Sequence, residues 1–306
     1  MKYGHIVEGR FIERPNRFVA YVDIDGKREK VHVKNTGRCR ELLQDDAQVF
    51  LSYSDNAARS TAYDLVAVKK GDRMVNMDSQ APNAAVKEWL KIGETHPVFG
   101  HITLVKPETT YQNSRFDFYV ECDERKIFIE VKGVTLENGG EVRFPDAPSE
   151  RAVKHVEELV KARKDGYEVY VLFVVQMEDV KFFMPNDRTD PKFAKALWEA
   201  RKQGVNVLAY DCRVTEDSME INQPVPVYLA DVDRMVTPLL NWFKNSARVL
   251  PWRQNPTAYN VWVSEIMLQQ TRVEAVKPYY DRFMKLFPNV SALANAEDEV
   301  LLKAWE

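Results

Sequence analysis

The spacing of apolar residues changes twice along this chain of 306 residues. Up to about residue 80, short stretches alternate between apolar and polar residues; from residue 81 to 229 such stretches alternate with helical patterns; from residue 230 onwards the pattern is helical. A two-residue period is typical of strands, and a period near four is typical of helices. The sequence therefore predicts a multidomain α+β protein with three parts, residues 1–80, 81–229 and 230–306.

The first part contains five short alternating runs, which are separated by turn formers such as Asp25-Gly26. Closing five strands into a barrel removes exposed sheet edges, so we predict a β-barrel of the oligonucleotide-binding (OB) type. The loop after the second run is basic and suits contact with nucleic-acid phosphates. Its candidate DNA-binding residues are Lys34, Asn35, Arg38 and Arg40. An ordinary turn beside a solvated strand face explains the same residues, and this alternative stays open.

The second part alternates strands with helices, which predicts an α/β domain with a mixed sheet. Two predicted helices end at Gly166 and Gly204, and each is followed by an apolar strand. Crossovers of this kind imply parallel pairing of the later strands. Residues 221–233 include Pro224 and Pro226, so we predict an extended linker there.

The composition excludes several classes of protein. No apolar run approaches the roughly 20 residues of a membrane helix, and the first residues lack a secretory signal, so we expect a cytoplasmic protein. Three scattered cysteines without a CxxC pair argue against a disulfide framework and a zinc ribbon. The net charge of -3 gives no global attraction to nucleic acid, so any DNA binding must come from local patches.

The run KIFIEVKGV brings a carboxylate and an ammonium to one side of a strand. Because strand side chains alternate, Glu130 and Lys132 face away from the neighbouring isoleucines. Asp117 interrupts the apolar run SRFDFYVEC, which a hairpin would bring alongside. Two carboxylates can hold Mg²⁺ or Mn²⁺ against a phosphate while a lysine orients or deprotonates the attacking water. The pattern predicts a nuclease site with Asp117 and Glu130 as metal ligands, although a simple ion pair between Glu130 and Lys132 remains an alternative.

The stretches NTGRCRELL, MDSQAPNAAVKEWL, SRFDFYV, IEVKGVTLENGG and FPDAPSERAVKHVEEL resemble successive blocks of the sugar fermentation stimulation protein A family. The resemblance covers residues 1 to about 229. It implies an OB-like barrel followed by a restriction-endonuclease-like α/β domain, with DNA as the partner. It also places Asp117, Glu130 and Lys132 on the nuclease motif. The resemblance implies DNA binding more firmly than catalysis, and a non-catalytic regulator of sugar metabolism genes is the competing hypothesis.

Further candidates surround the first long helix of the second part. Asp146 precedes this helix and is interpreted first as its cap and second as a metal-site residue. Arg151, Lys154 and His155 lie on one helical turn, which either contacts phosphate or forms a solvated face. Glu88 is a further acidic residue in a helical run, and nothing near it in sequence supports a role.

Residues 239–306 closely resemble the opening of adenine DNA glycosylases, which remove adenine mispaired with guanine. The resemblance implies that Glu265 is a general acid, that Gln269 and Gln270 probe the duplex, and that Arg253 lies in a DNA-facing loop. Apolar neighbours would raise the pKa of a carboxyl such as Glu265, as that role requires, whereas a solvated helix acid is the alternative. The sequence lacks the family's iron-sulfur cysteines and second catalytic carboxylate. We therefore expect a partial all-helical glycosylase segment without an iron-sulfur cluster, and adenine excision is the least favoured function.

Such a segment has apolar helix faces that the rest of a glycosylase would bury. The residues expected to form an exposed patch are Leu239, Trp242, Phe243, Phe283 and Phe287. Pro278 and Pro288 are predicted to break the helices of this part.

Overall fold

The computed structural model describes residues 1–35, 37, 39–56, 58–230, 233–269 and 271–305, and of residues 233, 234 and 237 the backbone alone. The chain forms two compact units, Met1–Arg234 and Met235–Glu306. No helix of the described residues is long and apolar enough to cross a membrane.

The first sheet forms the predicted five-stranded barrel, with one strand that the prediction omitted. Its strands are β1 (Ile6–Asn16), β2 (Val19–Ile24), β3 (Lys27–Val33), β4 (Gln48–Tyr53), β5 (Tyr63–Lys70) and β6 (Arg73–Asn76). The strand order is β3-β2-β1-β4-β5-β6, and parallel pairing of β3 with β5 closes the barrel. The five predicted strands lacked β1 and included β6. The barrel is closed by strands β1 to β5, and β6 lies beyond β5 at the end of the sheet. Charged residues and Gly9 obscured β1, yet glycine is required there because a Cβ would lie 2.5 Å from Val22 Cγ1.

The second sheet has the order β15-β14-β12-β9-β8-β7. Its strands are β7 (Ile102–Tyr111), β8 (Ser114–Cys122), β9 (Arg125–Val134), β12 (Glu168–Val175), β14 (Asn206–Val214) and β15 (Met219–Pro224). The small sheet beside it contains β10 (Leu136–Asn138), β11 (Glu141–Phe144) and β13 (Phe182–Pro185). The predicted parallel pairing is confirmed for β9, β12 and β14. The strands on either side of these three pair antiparallel, β8 with β9 and β15 with β14.

Three helices accompany this sheet, namely α1 (Ala81–Trp89), α2 (Glu150–Lys164) and α3 (Pro191–Lys202). Helices α2 and α3 are followed by Gly166 and Gly204 with positive φ values of 94° and 89°, as predicted. The predicted linker is wrong in its first residues. Ile221 pairs with Cys212 as part of β15, because an edge strand tolerates a proline at its end.

Two apolar cores cover the two faces of the second sheet. Ile127, Ile129 and Val131 belong to one core and Phe128 belongs to the other, which confirms the predicted alternation along β9. Helix α2 packs on the Phe128 side through residues such as Val156 and Leu159.

Ion pairs of a buried carboxylate, Glu137, join the barrel to the small three-stranded sheet. Glu137 on β10 accepts hydrogen bonds from Lys70 Nζ at 2.6 Å and from the Gly140 amide at 2.6 Å, and it pairs with Arg73 at 2.9 Å. Burial raises the pKa of this carboxyl, but the hydrogen bond from Lys70 and its other partners outweigh burial and lower the pKa below 4.5.

Replacing Glu137 with glutamine is expected to destabilise this unit by about 2–3 kcal/mol at neutral pH, because two cations lose their partner. Since the folded-state pKa is lowered, the stabilisation is complete above 4.5 and is lost as the pH falls through the lowered value. Urea unfolding near pH 7 and near pH 3 measures both effects. The difference between wild type and variant should shrink in acid, and an equal difference at the two pH values would refute the assignment.

The second unit is helical. Its helices are α4 (Asp233–Ser246), α5 (Pro251–Gln254), α6 (Ala258–Leu268), α7 (Val273–Leu286), α8 (Val290–Ala294) and α9 (Asp298–Trp305). The predicted break at Pro278 is wrong, since α7 continues through this residue. Proline removes only one backbone donor from the helix. The buried side chains of Val276, Tyr280 and Phe283, on either side of Pro278, stabilise the helix enough to offset this loss. The break at Pro288 agrees with the end of α7.

The apolar patch of this unit differs from the prediction. Leu239, Trp242 and Phe243 on α4 are exposed as expected. Phe283 and Phe287 are buried, because they pack with Trp252 and Tyr280 in a core that the unit forms by itself.

Candidate active site

Asp117 lies where strands β8 and β9 stop pairing. The ladder between them runs from Cys122 and Arg125 to Phe118 and Ile129, and Asp117 is the next residue. Its side chain replaces a backbone acceptor of β8, since Oδ2 accepts a hydrogen bond from the Val131 amide at 2.7 Å. Oδ1 accepts a second hydrogen bond from Asn83 Nδ2 on α1 at 2.8 Å. The carboxylate is therefore fixed at both oxygens.

Glu130 is the buried acid of the site, with 2% of its surface exposed. Its Oε1 accepts a hydrogen bond from Lys132 Nζ at 2.5 Å and contacts His155 Nδ1 on α2. Its Oε2 is buried and has no hydrogen-bond partner within the part of the chain that the structure describes. A buried carboxylate oxygen without a partner is costly, and a bound cation would satisfy it.

The two carboxylates influence each other. Burial and the neighbouring charge of Glu130 raise the pKa of Asp117 above its ordinary value, although the Val131 amide opposes the change. Burial also acts to raise the pKa of Glu130, but the hydrogen bond with His155 and the charge of Lys132 outweigh it and lower the pKa. The anionic form of Glu130 is thus stabilised by its partners, and a bound cation would lower the raised pKa of Asp117.

The residues fit a hard divalent cation that keeps part of its water shell. Among the residues that the structure describes, no group of three or more His, Cys, Asp or Glu side chains is arranged to hold a metal. Mg²⁺ is usually bound through one or two carboxylates, with waters and substrate phosphates completing the shell. Asp117 and the free oxygen of Glu130 provide this kind of partial ligand set.

The basic loop of the barrel is only partly free to contact DNA. Lys34 Nζ lies 3.1 Å from Asp78 Oδ2 and 3.3 Å from Asp64 Oδ2, and Asn35 Oδ1 accepts the Gly37 amide at 2.8 Å. Arg40 is exposed. Arg38, a predicted DNA contact, lies outside the described residues.

Helix α2 contributes one buried face and one exposed face to the region. Arg151 and Lys154 are exposed near its N-terminus, whereas His155 is turned into the site. The cap is Ser149, whose side chain accepts the Ala152 amide, so the capping interpretation of Asp146 is wrong; a serine one residue before the helix already meets that need.

Two other predicted residues lie elsewhere. Glu88 pairs with the N-terminal ammonium at 2.5 Å. Glu265 is exposed on α6 beside Trp262 and Ile266, which are exposed as well. The apolar enclosure that a glycosylase acid requires is therefore not formed around Glu265 by these neighbours.

The remaining glycosylase candidates lie near the ends of short helices. The guanidinium of Arg253 lies 5.3 Å from the centre of the Phe243 ring. Gln269 lines a pocket of 560 Å³ together with Ile266, Tyr279 and Trp305. Gln270 lies outside the described residues.

Comparison with known proteins decides the family. Residues 12–77 match the SfsA N-terminal OB domain, and residues 80–218 match the sugar fermentation stimulation protein RE domain. The sugar fermentation stimulation protein homolog of Clostridium beijerinckii is 56% identical over 229 residues, which are 75% of this chain and 100% of the relative. The chain belongs to the sugar fermentation stimulation protein (SfsA) family.

Two further relatives agree with this assignment. The homolog from Desulfitobacterium hafniense is 54% identical over 231 residues, which are 76% of this chain and 100% of that protein. The solved structure of Pyrococcus furiosus SfsA in complex with Ca²⁺ is 27% identical, has a TM-score of 0.65, and covers 74% of this chain and 98% of that one. The SfsA fold predicted from the sequence, an OB-like barrel with a restriction-endonuclease-like α/β domain, is confirmed.

The last part of the chain has a different relationship. Residues 263–306 match the HhH-GPD superfamily of base excision DNA repair proteins. This match agrees with the predicted glycosylase-like segment that follows the SfsA region.

Sequence reasoning gave one residue of the candidate site a different role and missed another. His155 was predicted to reach phosphate or solvent, but its spacing from Ala152 and Leu159, both buried on α2, was a signal for the inner face. Asn83 follows Pro82 at the start of α1 and gave no signal, because its contact with Asp117 depends on tertiary structure.

Proposed function

We propose that this SfsA protein binds DNA and hydrolyses it in an Mg²⁺- or Mn²⁺-dependent reaction at Asp117, Glu130 and Lys132. The single observation that carries the proposal is the buried, unpartnered Oε2 of Glu130, next in sequence to the Val131 amide that binds the carboxylate of Asp117. In this proposal residues 1–80 bind nucleic acid, residues 81–229 form the nuclease-like domain, and residues 230–306 are an accessory segment without glycosylase activity.

The solved SfsA relative supports the choice of ion. That protein is described as a complex with Ca²⁺, and Ca²⁺ and Mg²⁺ both prefer oxygen ligands. Ca²⁺ tolerates irregular coordination, whereas Mg²⁺ and Mn²⁺ activate water more readily. The same carboxylates would hold either type of ion.

The residues of the site have separate roles in the proposed reaction. Asp117 and Glu130 would hold the cation, which supplies Lewis-acid stabilisation of the phosphate and lowers the pKa of a bound water. The Asn83 amide and the Val131 N–H keep Asp117 oriented, and His155 keeps Glu130 oriented. In the hydrolysis a water oxygen bonds to phosphorus, the phosphorus–ester oxygen bond breaks, and the leaving oxygen gains a proton.

Lys132 has the chemistry to act on the phosphate. An ammonium has three donors, and one of them is used by Glu130 Oε1. The remaining donors can orient the attacking water or offset the charge that develops on the phosphate. Arg40, Arg151 and Lys154 are exposed cations that would hold the flanking DNA backbone.

A DNA-binding protein without catalysis is the second candidate. The observation that favours it is the internal pairing of the site, since both Asp117 oxygens and Glu130 Oε1 already accept hydrogen bonds. Such a protein would regulate sugar metabolism genes by binding alone, as the family name suggests.

Supercoiled plasmid separates the two candidates. With Mg²⁺ or Mn²⁺ the wild-type protein is expected to produce nicked circles, and Asp117→Asn is expected to produce none. Asp123→Asn is the matched control, because Asp123 lies exposed in the turn that follows the same strand. Plasmid that stays intact with a wild-type protein that binds it would reject hydrolysis and leave the binding candidate.

A further inference from the structure

The segment that connects the barrel to helix α1, residues 76–80, is held by a buried glutamine of the second sheet. Gln176 follows β12 and is 2% exposed. Its Nε2 has two hydrogens and lies within hydrogen-bond distance of three acceptors, namely the carbonyl and the side-chain oxygen of Asn76 at 3.1 and 3.0 Å and the Asp78 carbonyl at 3.1 Å. The Asn76 amide donates to the Gln176 carbonyl at 2.9 Å. This set of bonds fixes the connecting segment against the sheet.

The barrel holds the same segment from the other side. Lys34 Nζ bridges Asp78 and Asp64, which are 2% and 6% exposed. The backbone carbonyl of Lys34 accepts a hydrogen bond from Ser79 Oγ at 2.7 Å. Withdrawing this ammonium to bind a phosphate would break the ion pair of the buried Asp78, which is costly, whereas Asp64 would keep its pair with Arg59. The position of Lys34 therefore opposes a role as a DNA contact.

The clamped segment leads directly to the candidate active site. Asp78 Oδ1 accepts the Gln80 amide at 2.9 Å, and helix α1 begins at the next residue. Asn83, in the first turn of α1, donates to Asp117 Oδ1 at 2.8 Å. A shift of the connecting segment would thus move the group that orients Asp117.

Gln176 also contacts the strand that carries the other site residues. Its backbone amide donates to the Val134 carbonyl at 2.9 Å. A Cβ on Gly133 would lie 2.5 Å from Gln176 Oε1, so glycine permits this close approach. Gln176 therefore connects residues 76–80 to β9, the strand on which Glu130 and Lys132 are located.

We propose that Asn83 is a positioning residue for Asp117, and that Lys34 acts through the connecting segment on Asn83 instead of contacting DNA phosphate. The proposal deepens the proposed function, because it rests on Asp117 being a ligand of the cation. It gives the barrel a second role, which is to set the geometry of the site in the neighbouring domain.

Amide hydrogen exchange tests the proposal in the full chain, without metal or DNA. The Val131 N–H reports the position of Asp117, because its hydrogen bond ends on that carboxylate. Asn83→Ala is expected to speed exchange of this amide by about tenfold, and Lys34→Met is expected to speed it several-fold. The Ile129 amide, inside the ladder, should keep its rate. Lys30→Met is the control, because it removes an exposed ammonium from β3, the strand that Lys34 follows. This variant should change the exchange of neither amide.

The salt dependence of oligonucleotide binding provides the second readout. Loss of a phosphate contact lowers the slope of log K against log salt by about one unit. Lys34→Met is expected to leave the slope unchanged. If Lys34→Met does not fold, Lys34→Met combined with Asp78→Asn removes both members of the pair and is measured in its place.

Each result has a definite meaning. An unchanged Val131 exchange rate in Asn83→Ala or in Lys34→Met, or a reduced salt slope in the Lys34 variant, would overturn the proposal. Failure of plasmid cleavage by wild type would reject the proposed nuclease function alone, since the exchange experiment contains neither cation nor substrate.

Discussion

Replacing Glu130 with glutamine is expected to lower metal-dependent cleavage by about 10³-fold, because the site loses one of two carboxylates that hold the cation. Glutamine has nearly the same volume and keeps an oxygen for the donors of Lys132 and His155. The change therefore removes a negative charge from a buried position and leaves the packing of β9 intact. Cleavage rates on plasmid, with circular dichroism to verify the fold, measure the effect.

Glu124→Gln is the control for this experiment, since Glu124 is exposed in the turn before β9. It should cleave at the wild-type rate. A Glu130→Gln protein that is folded and cleaves as fast as wild type would contradict the assignment of Glu130 as a cation ligand.

The second large effect concerns the helical unit. Phe283 is 1% exposed, and its ring lies 4.9 Å from Phe287 and 5.4 Å from Trp305. Replacing it with alanine is expected to cost about 3–5 kcal/mol, because the cavity cannot close among rigid aromatic rings. A core of this size supplies about 3–5 kcal/mol in total, so we expect this unit to lose its fold.

Thermal unfolding followed by tryptophan fluorescence, with limited proteolysis to locate the cuts, measures this effect. The variant should be cleaved within residues 235–305 while residues 1–230 stay protected. Val290→Ala is the matched control, because Val290 is exposed in the same unit and should leave the protease pattern unchanged. Equal protease resistance of Phe283→Ala and wild type would show that the aromatic core does not hold the unit together.

The overall order of strands and helices was predictable where apolar periodicity was strong. Helices α2 and α3 with their terminal glycines and the alternation along β9 followed from local pattern. Strand β1 was not predictable, since Gly9 and several charges break its pattern and its pairing partners lie far away in sequence. Pro278 was misleading, because packing of Tyr280 and Phe283 outweighs one lost backbone hydrogen bond.

The candidate site was predictable only in part. The types and spacing of Asp117, Glu130 and Lys132 indicate a cation site. The structure brings Glu130 and Lys132 into contact, and Asp117 binds the amide of Val131, which lies between them in sequence. The partners that orient them come from helices α1 and α2, which meet the sheet only in the folded protein. The ion pairs of Lys34 likewise depend on tertiary contacts, so a basic loop in the sequence was interpreted as a DNA surface.

Calorimetric titration of the protein with Mn²⁺ tests the central claim most directly, since it asks whether the paired carboxylates hold a cation. Wild type is expected to show saturable binding, and Asp117→Asn combined with Glu130→Gln is expected to abolish it while the protein remains folded. Saturable Mn²⁺ binding of equal affinity in wild type and the double variant would contradict the account, because the cation would then be held elsewhere.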